Sequence, residues 1–219
     1  MNPIIRFDQV SVAVREKTIL SNISFALFPG EKTVLCGKSG SGKSSVLRAF
    51  IGLHAVAGGV YFQQMQLTPA SVHTIRSATA YIGQEPILGA ETVREALLLP
   101  FQFKIHRNQR PPDARLGEVL NRLHLTVDIL KRKCSRISGG EKQRIALARG
   151  LLLGKSLYLL DEITSALDAE SKQAVFDVFS DPQLTVLSVA HDTEWLARCD
   201  RILELDAGRL VRERTYGNA

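Results

Sequence analysis

The chain has 219 residues, a formal net charge of +6 at pH 7 and a hydrophobic fraction of 45%. A chain of this length fits one domain, or one domain with a sizeable subdomain, and can bury a core without disulfides. No apolar run approaches the ~20 residues that span a bilayer, and residues 1–6 lack the basic-then-apolar layout of a signal peptide. The sequence therefore predicts neither a membrane span nor a secretory leader.

The cysteines and the basic residues exclude several other classes. Cys36, Cys134 and Cys199 form no Cys-x-x-Cys pair, which argues against a disulfide framework or a zinc site and indicates a reducing compartment. Basic residues concentrate at 104–115 and 131–136. Such patches face solvent, nucleic acid or anionic lipid. Neither contains the interleaved aromatic residues of a base-stacking platform, so no nucleic acid partner is expected.

The first predicted secondary-structure elements lie in residues 1–30, where apolar and polar side chains alternate as they do in strands. Two such runs predict antiparallel strands that end at a Pro-Gly turn. A short strand at 32–36 then leads through a glycine- and serine-rich loop into an apolar helix at 44–53. Residues 60–67 are predicted to form one further strand.

The middle of the chain changes to a helical pattern. After a short strand at 79–82, candidate helices occupy 93–99, 113–125 and 139–153, with a loop at 107–112. Strands and helices then alternate, with strands at 157–160, 184–189 and 201–205 and helices at 168–179 and 193–198. Alternation of this kind predicts a parallel sheet covered by helices. The predicted fold class is α/β, with a helical insertion at 85–153 in a core of residues 1–84 and 154–219.

The glycine- and serine-rich loop matches the pattern G-x-x-x-x-G-K-[ST] at every fixed position. Its residues, with the one that follows, are Gly37, Lys38, Ser39, Gly40, Ser41, Gly42, Lys43, Ser44 and Ser45. The glycines let backbone N–H groups face phosphate oxygens, and the following helix adds the positive end of its dipole. Lys43 is expected to reach the β- and γ-phosphates and Ser44 to ligate Mg²⁺. A flexible loop is the alternative, but the strand before and the helix after favour a P-loop nucleotide binder, a class that includes kinases and GTPases.

A second candidate site is the apolar strand at 157–160, which ends in the adjacent carboxylates Asp161 and Glu162. Ligands bind at the carboxyl ends of strands in open parallel sheets. Asp161 suits the outer coordination shell of Mg²⁺, and Glu162 suits the general base that activates a water molecule. An acidic surface cap is the alternative, which the presence of the phosphate-binding loop disfavours.

The third candidate is the start of the helix at 139–153, which reads Ser138, Gly139, Gly140, Glu141. The Ser-x-x-Glu spacing predicts a capping box, and any helix can begin in this way. Two glycines in a first turn, however, weaken a helix. They are explained if bare backbone must approach a group such as phosphate closely.

This helix start, followed by Lys-Gln-Arg, resembles the signature motif of the ABC (ATP-binding cassette) ATPases. In the order of that family, Gln84 resembles the Q-loop, Ser165 and Asp168 the D-loop, and His191 the switch histidine. The resemblance covers essentially the whole chain. It implies a single ABC ATPase domain over residues 1–219: a P-loop NTPase core with a mostly parallel sheet, an N-terminal antiparallel β subdomain and an inserted helical subdomain.

The resemblance implies a role for each site residue within one copy of the chain. Gln84 would ligate Mg²⁺ together with Ser44 and Asp161, partly through water, and would sense coupling to a transport partner. Glu162 and His191 would be catalytic, with His191 contacting the γ-phosphate.

Other roles implied by the resemblance need a second copy. Residues 138–141 would contact the ATP held by the partner in an ATP-dependent head-to-tail homodimer, and Ser165 and Asp168 would link the two sites. Two positions depart from the family pattern. Val14 stands where an aromatic residue often stacks on adenine, and Glu141 stands where glutamine is commonest, a variant that we do not interpret as inactivating.

The implied function is ATP hydrolysis, with ATP and Mg²⁺, that energises a transporter through a separate multi-span permease at the cytoplasmic face of the inner membrane. Residues 160–168 and 99–103 are similar to ATP-binding subunits of two-component exporters associated with iron export and metal tolerance. The alternative is a soluble ABC-type ATPase without a permease, acting in cofactor assembly or on nucleic acid. A small-molecule kinase leaves residues 138–141 unexplained.

Overall fold

The computed structural model describes residues 2–215, and backbone contacts divide them into two compact units. The first unit contains residues 2–81, 156–162 and 182–215, and the second contains residues 82–155 and 163–181. The sequence-based boundaries of a helical insertion at 85–153 stay a prediction. Within residues 2–215, no helix is both long enough and apolar enough to cross a membrane.

The strands, in chain order, are β1 (Ile5–Val14), β2 (Lys17–Leu27), β3 (Lys32–Cys36), β4 (Ala57–Phe62), β5 (Met65–Gln66), β6 (Thr79–Ile82), β7 (Leu157–Asp161), β8 (Thr185–Val189), β9 (Arg201–Asp206) and β10 (Arg209–Thr215). The helices are α1 (Lys43–Phe50), α2 (Val72–Ala78), α3 (Val93–Leu98), α4 (Asp113–Arg122), α5 (Gly139–Leu152), α6 (Ala169–Phe179) and α7 (Thr193–Ala197). Short 3₁₀ turns lie at Leu99–Gln102, Arg107–Gln109, Val127–Lys131 and Cys134–Arg136. The sequence pattern does not predict α2 or β10.

The N-terminal strands form a four-stranded antiparallel sheet in the order β2-β1-β4-β5. The predicted antiparallel pairing of β1 with β2 is confirmed. The prediction of one strand over residues 60–67 is wrong. The chain turns at Gln63 and Gln64, whose φ angles of 46° and 72° are left-handed, and β5 folds back onto β4. No apolar–polar alternation can reveal such a turn, because the residues on both sides keep the strand pattern.

The second sheet has six strands in the order β10-β9-β3-β8-β7-β6. β3 pairs in parallel with β8 and β9, and β7 pairs in parallel with β8, so the predicted parallel sheet is confirmed. β7 and β8 are buried along their whole length, as strands covered on both faces must be. The parallel order brings the carboxyl ends of β3, β7 and β8 to one edge.

Helix α1, which follows the glycine-rich loop, packs in the apolar core of the first unit. Val46, Leu47 and Phe50 are fully buried, and they belong to one apolar cluster with strand residues such as Phe7 and Leu159. Phe50 also lies edge-on to the Phe62 ring, with 6.3 Å between ring centroids. Packing therefore fixes the helix that follows the glycine-rich loop.

The second unit is mainly helical, with α5 packed against α3 and α4. Its fully buried apolar residues include Leu97, Leu116, Leu120, Ile145 and Leu147. The predicted helix at 113–125 ends earlier, at Arg122. His124 takes a left-handed φ of 52°, and the Leu125 N–H then donates to the Leu120 carbonyl at 2.9 Å, which closes the helix end.

Strand β10 forms one edge of the six-stranded sheet and pairs with β9. Its sequence places Arg212, Glu213 and Arg214 in succession, and all three are exposed. Arg214 pairs with Glu204 at 3.6 Å, and Glu213 pairs with Arg201 at 3.1 Å. The edge strand is thus held to its neighbour by ion pairs as well as by backbone hydrogen bonds.

Replacing Phe50 by alanine should lower the free energy of unfolding by about 3–5 kcal/mol, because a fully buried ring is removed and leaves a cavity. The matched control is Leu53→Ala, just beyond the same helix, where the side chain is 56% exposed and the expected loss is within about 0.5 kcal/mol. Urea unfolding followed by circular dichroism measures both. Equal losses would contradict the assignment of α1 to the core.

Candidate active site

The glycine-rich loop at residues 37–44 curls around the side chain of Lys43. The Lys43 ammonium donates to the carbonyl oxygens of Gly37 and Lys38, each at 2.9 Å. The Ser41 hydroxyl oxygen is buried and has no hydrogen-bond partner among residues 2–215. A buried ammonium and an orphaned hydroxyl beside backbone N–H groups suit a bound phosphate chain.

The shape of this loop depends on Gly37. Its φ is +136°, and a Cβ atom added there would lie 2.0 Å from the carbonyl oxygen of Leu205 on β9. No side chain is compatible with both the backbone angle and this approach. The loop is therefore seated directly on the end of the parallel sheet.

Asp161 ends strand β7 and lies beside the loop. It is 2% exposed, and its Oδ1 accepts a hydrogen bond from the Ser44 hydroxyl at 2.7 Å. The Tyr81 hydroxyl lies 3.5 Å from Oδ2, and burial raises the pKa of that hydroxyl, which keeps it protonated as a donor. The end of β7 and the start of α1 thus bring a carboxylate and a hydroxyl to one point.

Ser44 and Asp161 supply hard oxygen ligands of the kind that Mg²⁺ prefers. Among residues 2–215, no group of three or more His, Cys, Asp or Glu side chains could hold a metal ion. A cation here would complete its shell from water and substrate phosphate, as Mg²⁺ does in nucleotide sites. The residues present fit that ion.

Glu162 follows Asp161 and leaves the strand with a left-handed φ of 53°. Its N–H donates to the Val189 carbonyl on β8 at 2.9 Å, which holds this uncommon conformation. One carboxylate oxygen lies 3.6 Å from His191 Nε2, and the histidine side chain is 51% exposed. The carboxyl ends of β7 and β8 thereby bring a candidate base and a candidate phosphate contact together.

The predicted capping box at the start of α5 is confirmed. The Glu141 N–H donates to the Ser138 hydroxyl at 3.2 Å, and the Ser138 N–H donates to Glu141 Oε2 at 2.7 Å. Arg132 donates to the other oxygen of Glu141 at 2.6 Å. Burial acts to raise the pKa of Glu141, but the Ser138 and Arg132 hydrogen bonds outweigh it and lower that pKa overall. Glutamate at position 141 therefore forms an ion pair with Arg132 that a neutral glutamine could not form.

The two glycines of the first turn differ in what surrounds them. A Cβ added to Gly140 would lie 3.0 Å from the Ala166 carbonyl oxygen, a tight contact. A Cβ added to Gly139 would meet only the Ala166 Cβ at 3.9 Å, an ordinary contact. Gly139 is exposed and helical, so nothing within its own unit requires a glycine there.

Gln84 lies in a segment that is fastened to helix α5. The Gln143 side-chain amide donates to the Gln84 carbonyl. Arg149 donates to the carbonyls of Ile87 and Leu88, both at 3.1 Å. Sequence reasoning assigned no role to Gln143 or Arg149. The sequence does contain one indication of such a role, because Gln143 is a polar residue among the buried, otherwise apolar positions of helix α5.

The predicted D-loop residues precede helix α6. Asp168 is the N-cap of that helix and accepts a hydrogen bond from the Ser171 N–H at 2.8 Å, which lowers the pKa of its carboxyl. Ser165 is exposed. The predicted site residues therefore divide between the units: Lys43, Ser44, Asp161, Glu162 and His191 belong to the first, and Gln84, Ser138–Glu141, Ser165 and Asp168 belong to the second.

Replacing Glu141 by alanine should lower the free energy of unfolding by about 1–2 kcal/mol, because the capping hydrogen bond and the Arg132 contact are both lost. Glu141→Gln keeps an acceptor for the Ser138 N–H and should cost clearly less. Thermal and urea unfolding of the two variants measure the difference. Equal destabilisation by both would show that the charge, and not the capping bond, provides the stability.

The first unit has the features of a P-loop nucleotide-hydrolysing core. At the carboxyl ends of its parallel strands lie a loop suited to a phosphate chain, a serine–aspartate pair and a glutamate–histidine pair. The comparisons with known proteins identify the class further. Residues 20–165 match the family described as ABC transporter. The chain is 33% identical over 220 residues to the probable iron export ATP-binding protein FetA of Escherichia coli K12, covering 97% of this chain and 96% of that protein.

Other relatives carry the same cassette within longer chains. The mycobactin import ATP-binding/permease protein IrtB of Mycolicibacterium thermoresistibile is 34% identical over 223 residues, which span only 38% of its length. Among solved structures, an ATP-binding subunit of an ABC transporter superposes with a TM-score of 0.86 at 25% identity, covering 97% of this chain and 90% of that one. A bacterial Atm1-family ABC exporter with ATP bound superposes with a TM-score of 0.84 at 26% identity, covering 97% and 39%.

The chain therefore belongs to the ABC transporter family, as an ATP-binding and ATP-hydrolysing component. Another cassette of the same fold, solved as a dimer in a post-hydrolysis state with ADP and Pi, superposes with a TM-score of 0.81 at 25% identity, covering 96% of this chain and 98% of that one. Fold class and family were thus both predictable from the ordered motifs.

Proposed function

We propose that two copies of this chain close head-to-tail on ATP, so that each ATP contacts residues 37–45 of one copy and residues 138–141 of the other. The observation that carries this proposal is Gly139 in the first turn of α5, since Gly140 already lies close to the Ala166 carbonyl. Glycine costs a helix about 1 kcal/mol relative to alanine, and Gly139 has no steric reason for it within its own unit. A phosphate group from outside the chain, approaching bare N–H groups at a helix start, supplies that reason.

The chemistry that these residues support is positioning and charge neutralisation. Lys43 would exchange its contacts with the Gly37 and Lys38 carbonyls for phosphate oxygens, and Glu162 would orient and deprotonate the attacking water. His191, beside Glu162, would hold the γ-phosphate. Bound Mg²⁺, held by Ser44 and Asp161 with Gln84 as a further ligand, would neutralise charge on the β- and γ-phosphates. Ser165 and Asp168 would link the two sites across the interface.

A groove of the second unit supports a separate membrane permease as the partner. The groove has a volume of about 720 Å³ and is lined by residues that include Gln84, Ile87, Cys134 and Gln143. Ile87 is 86% exposed, and the buried Oε1 atom of Gln143 has no hydrogen-bond partner among residues 2–215. A short amphipathic helix of a permease could bury Ile87 and donate to Gln143. Because Gln143 and Arg149 fasten this segment to α5, movement of the docked helix would reach Ser138–Gly140.

The transport reaction that we propose is export of iron or another metal, with the chain peripheral on the cytoplasmic face of the inner membrane. Similarity to the probable iron export protein FetA over nearly the full length of both chains supports this reaction. The rival is a soluble ABC-type ATPase that acts in cofactor assembly without a permease.

Replacing Gly139 by alanine should separate stability from function. The free energy of unfolding should rise by about 0.5–1 kcal/mol, because alanine favours the helix and its Cβ has room. Steady-state ATPase activity and ATP-dependent dimerisation should fall at least tenfold, because the added methyl group blocks the approach of the partner's ATP. A stabilised variant with unchanged activity would remove Gly139 from the ATP contact.

The Glu162→Gln variant tests the catalytic base and the partner together. It should bind ATP with Mg²⁺ but lose turnover by at least a hundredfold, about 2.7 kcal/mol of transition-state stabilisation, and remain as a closed dimer in gel filtration. Tagged and purified with ATP from detergent-solubilised cells of its source, it should bring a stoichiometric multi-span membrane protein, identified by mass spectrometry.

The control for that purification is the double variant Glu162→Gln, Ile87→Glu. It should still form the ATP-dependent dimer but lose the membrane protein, because a charge replaces the exposed apolar side chain of the groove. If Glu162→Gln closes into a dimer and brings only soluble proteins, the permease proposal is wrong and the assembly-type rival is favoured.

A further inference from the structure

A segment of the second unit carries positive charge that the proposed function does not use. Residues 96–112 contain no Asp or Glu, and within them Lys104, Arg107 and Arg110 supply three cations. All three are exposed, and none forms an ion pair or hydrogen bond with another side chain among residues 2–215. We call residues 103–110 the basic loop.

The basic loop also presents two large apolar side chains to solvent. Phe103 is 62% exposed and Ile105 is 65% exposed. They stand two residues apart and alternate with Lys104, so apolar and cationic groups occur together. Isolated exposed apolar residues are common, but a closely spaced aromatic and aliphatic pair within an acid-free cationic segment is the composition of an interfacial membrane contact.

The backbone of the basic loop is ordered by successive turns. The His106 N–H donates to the Phe103 carbonyl at 3.0 Å, and the Gln109 N–H donates to the His106 carbonyl at 2.9 Å. The side chains of Phe103 and Ile105 are therefore held on a folded loop, so less conformational entropy is lost when they bind.

A small cleft adjoins the loop and adds a place for an anionic headgroup. Its volume is about 180 Å³, and its lining includes Arg94, Glu95, Gln102 and Arg110. Arg94 is already paired with Asp113 at 2.5 Å, and the Glu95 carboxylate accepts N–H groups at the start of α3. Arg110 is therefore the cation of this cleft that has no acidic partner within the part of the chain that the structure describes, residues 2–215.

We propose that the basic loop binds directly to the surface of an anionic phospholipid bilayer, with Phe103 and Ile105 inserted at the headgroup boundary and Lys104, Arg107 and Arg110 on lipid phosphates. This inference goes beyond the proposed function, because it concerns lipid and neither the permease nor the transported substrate. It gives the chain a second, weaker membrane contact, which sets the orientation of the second unit at the bilayer.

Nucleic acid fits the same charges less well. Single-stranded nucleic acid is bound by aromatic rings that stack on successive bases, and Phe103 is the one aromatic residue of the basic loop. The Ile105 side chain would make no favourable contact with a phosphate backbone, whereas its burial at the acyl boundary of a bilayer lowers the free energy.

The test is co-sedimentation of the full chain with vesicles of phosphatidylcholine, with and without phosphatidylglycerol. We expect binding to the mixed vesicles and little binding to phosphatidylcholine alone. Phe103→Ser with Ile105→Ser should weaken binding at least about tenfold. Lys104→Gln with Arg107→Gln and Arg110→Gln should weaken it on the order of a hundredfold, since each cation near an anionic surface contributes about fivefold.

The matched control removes three exposed cations elsewhere: Lys17→Gln with Arg122→Gln and Lys131→Gln. It changes the net charge by the same amount and should keep most of the binding. Thermal unfolding and basal ATPase activity should be unchanged in every variant, which separates this inference from the ATP-dependent dimer and from the permease.

Three results would overturn the proposal. They are equal binding to both kinds of vesicle, an equal loss in the control variant, and binding of a single-stranded oligonucleotide that depends on Lys104, Arg107 and Arg110 while vesicle binding does not.

Discussion

The hydrogen bond from the Ser44 hydroxyl to the Asp161 carboxylate joins two segments that are 117 residues apart in the chain. It forms only if α1 starts directly after the glycine-rich loop and if β7 ends at the edge where β3 also ends. A slip of β7 by one residue against β8 would turn Asp161 to the other face of the sheet and break its hydrogen bond with Ser44. The register of the parallel sheet is therefore the constraint on which the candidate catalytic arrangement depends.

The sequence predicts the positions of the candidate site residues in the fold better than it predicts their surroundings. Asp161 ends β7, Glu162 follows it directly, and Lys43 stands one short loop beyond the end of β3. A parallel sheet brings the ends of its strands together whatever the details of packing. The split of residues 60–67 into β4 and β5 could not be predicted in this way, because it depends on left-handed angles at a turn. The fastening of residues 84–88 by Gln143 and Arg149 depends on tertiary contacts that no local pattern encodes.

Helix α5 combines three tasks that would otherwise need separate elements. Its first turn carries the capping box and the glycine pair, its buried stripe forms the core of the second unit, and two of its polar side chains hold the segment that begins at Gln84. The capping box stabilises the helix start, where two glycines weaken it. The helix can thus begin at a defined residue although its first turn contains two glycines, at the place where we propose that the ATP of a second copy makes contact.

Strand β10 has a consequence for the behaviour of the chain in a crowded solution. The outer edge of a sheet presents unpaired N–H and C=O groups that can template the addition of a strand from another molecule, which is a route to aggregation. Here the exposed Arg212, Glu213 and Arg214 line that edge, so an incoming apolar strand would have to desolvate charges to pair with it. The exposed charges of β10 thus oppose aggregation at this edge of the sheet, and we expect neutral substitutions of Arg212, Glu213 and Arg214 to make the protein aggregate sooner, before they alter its catalysis.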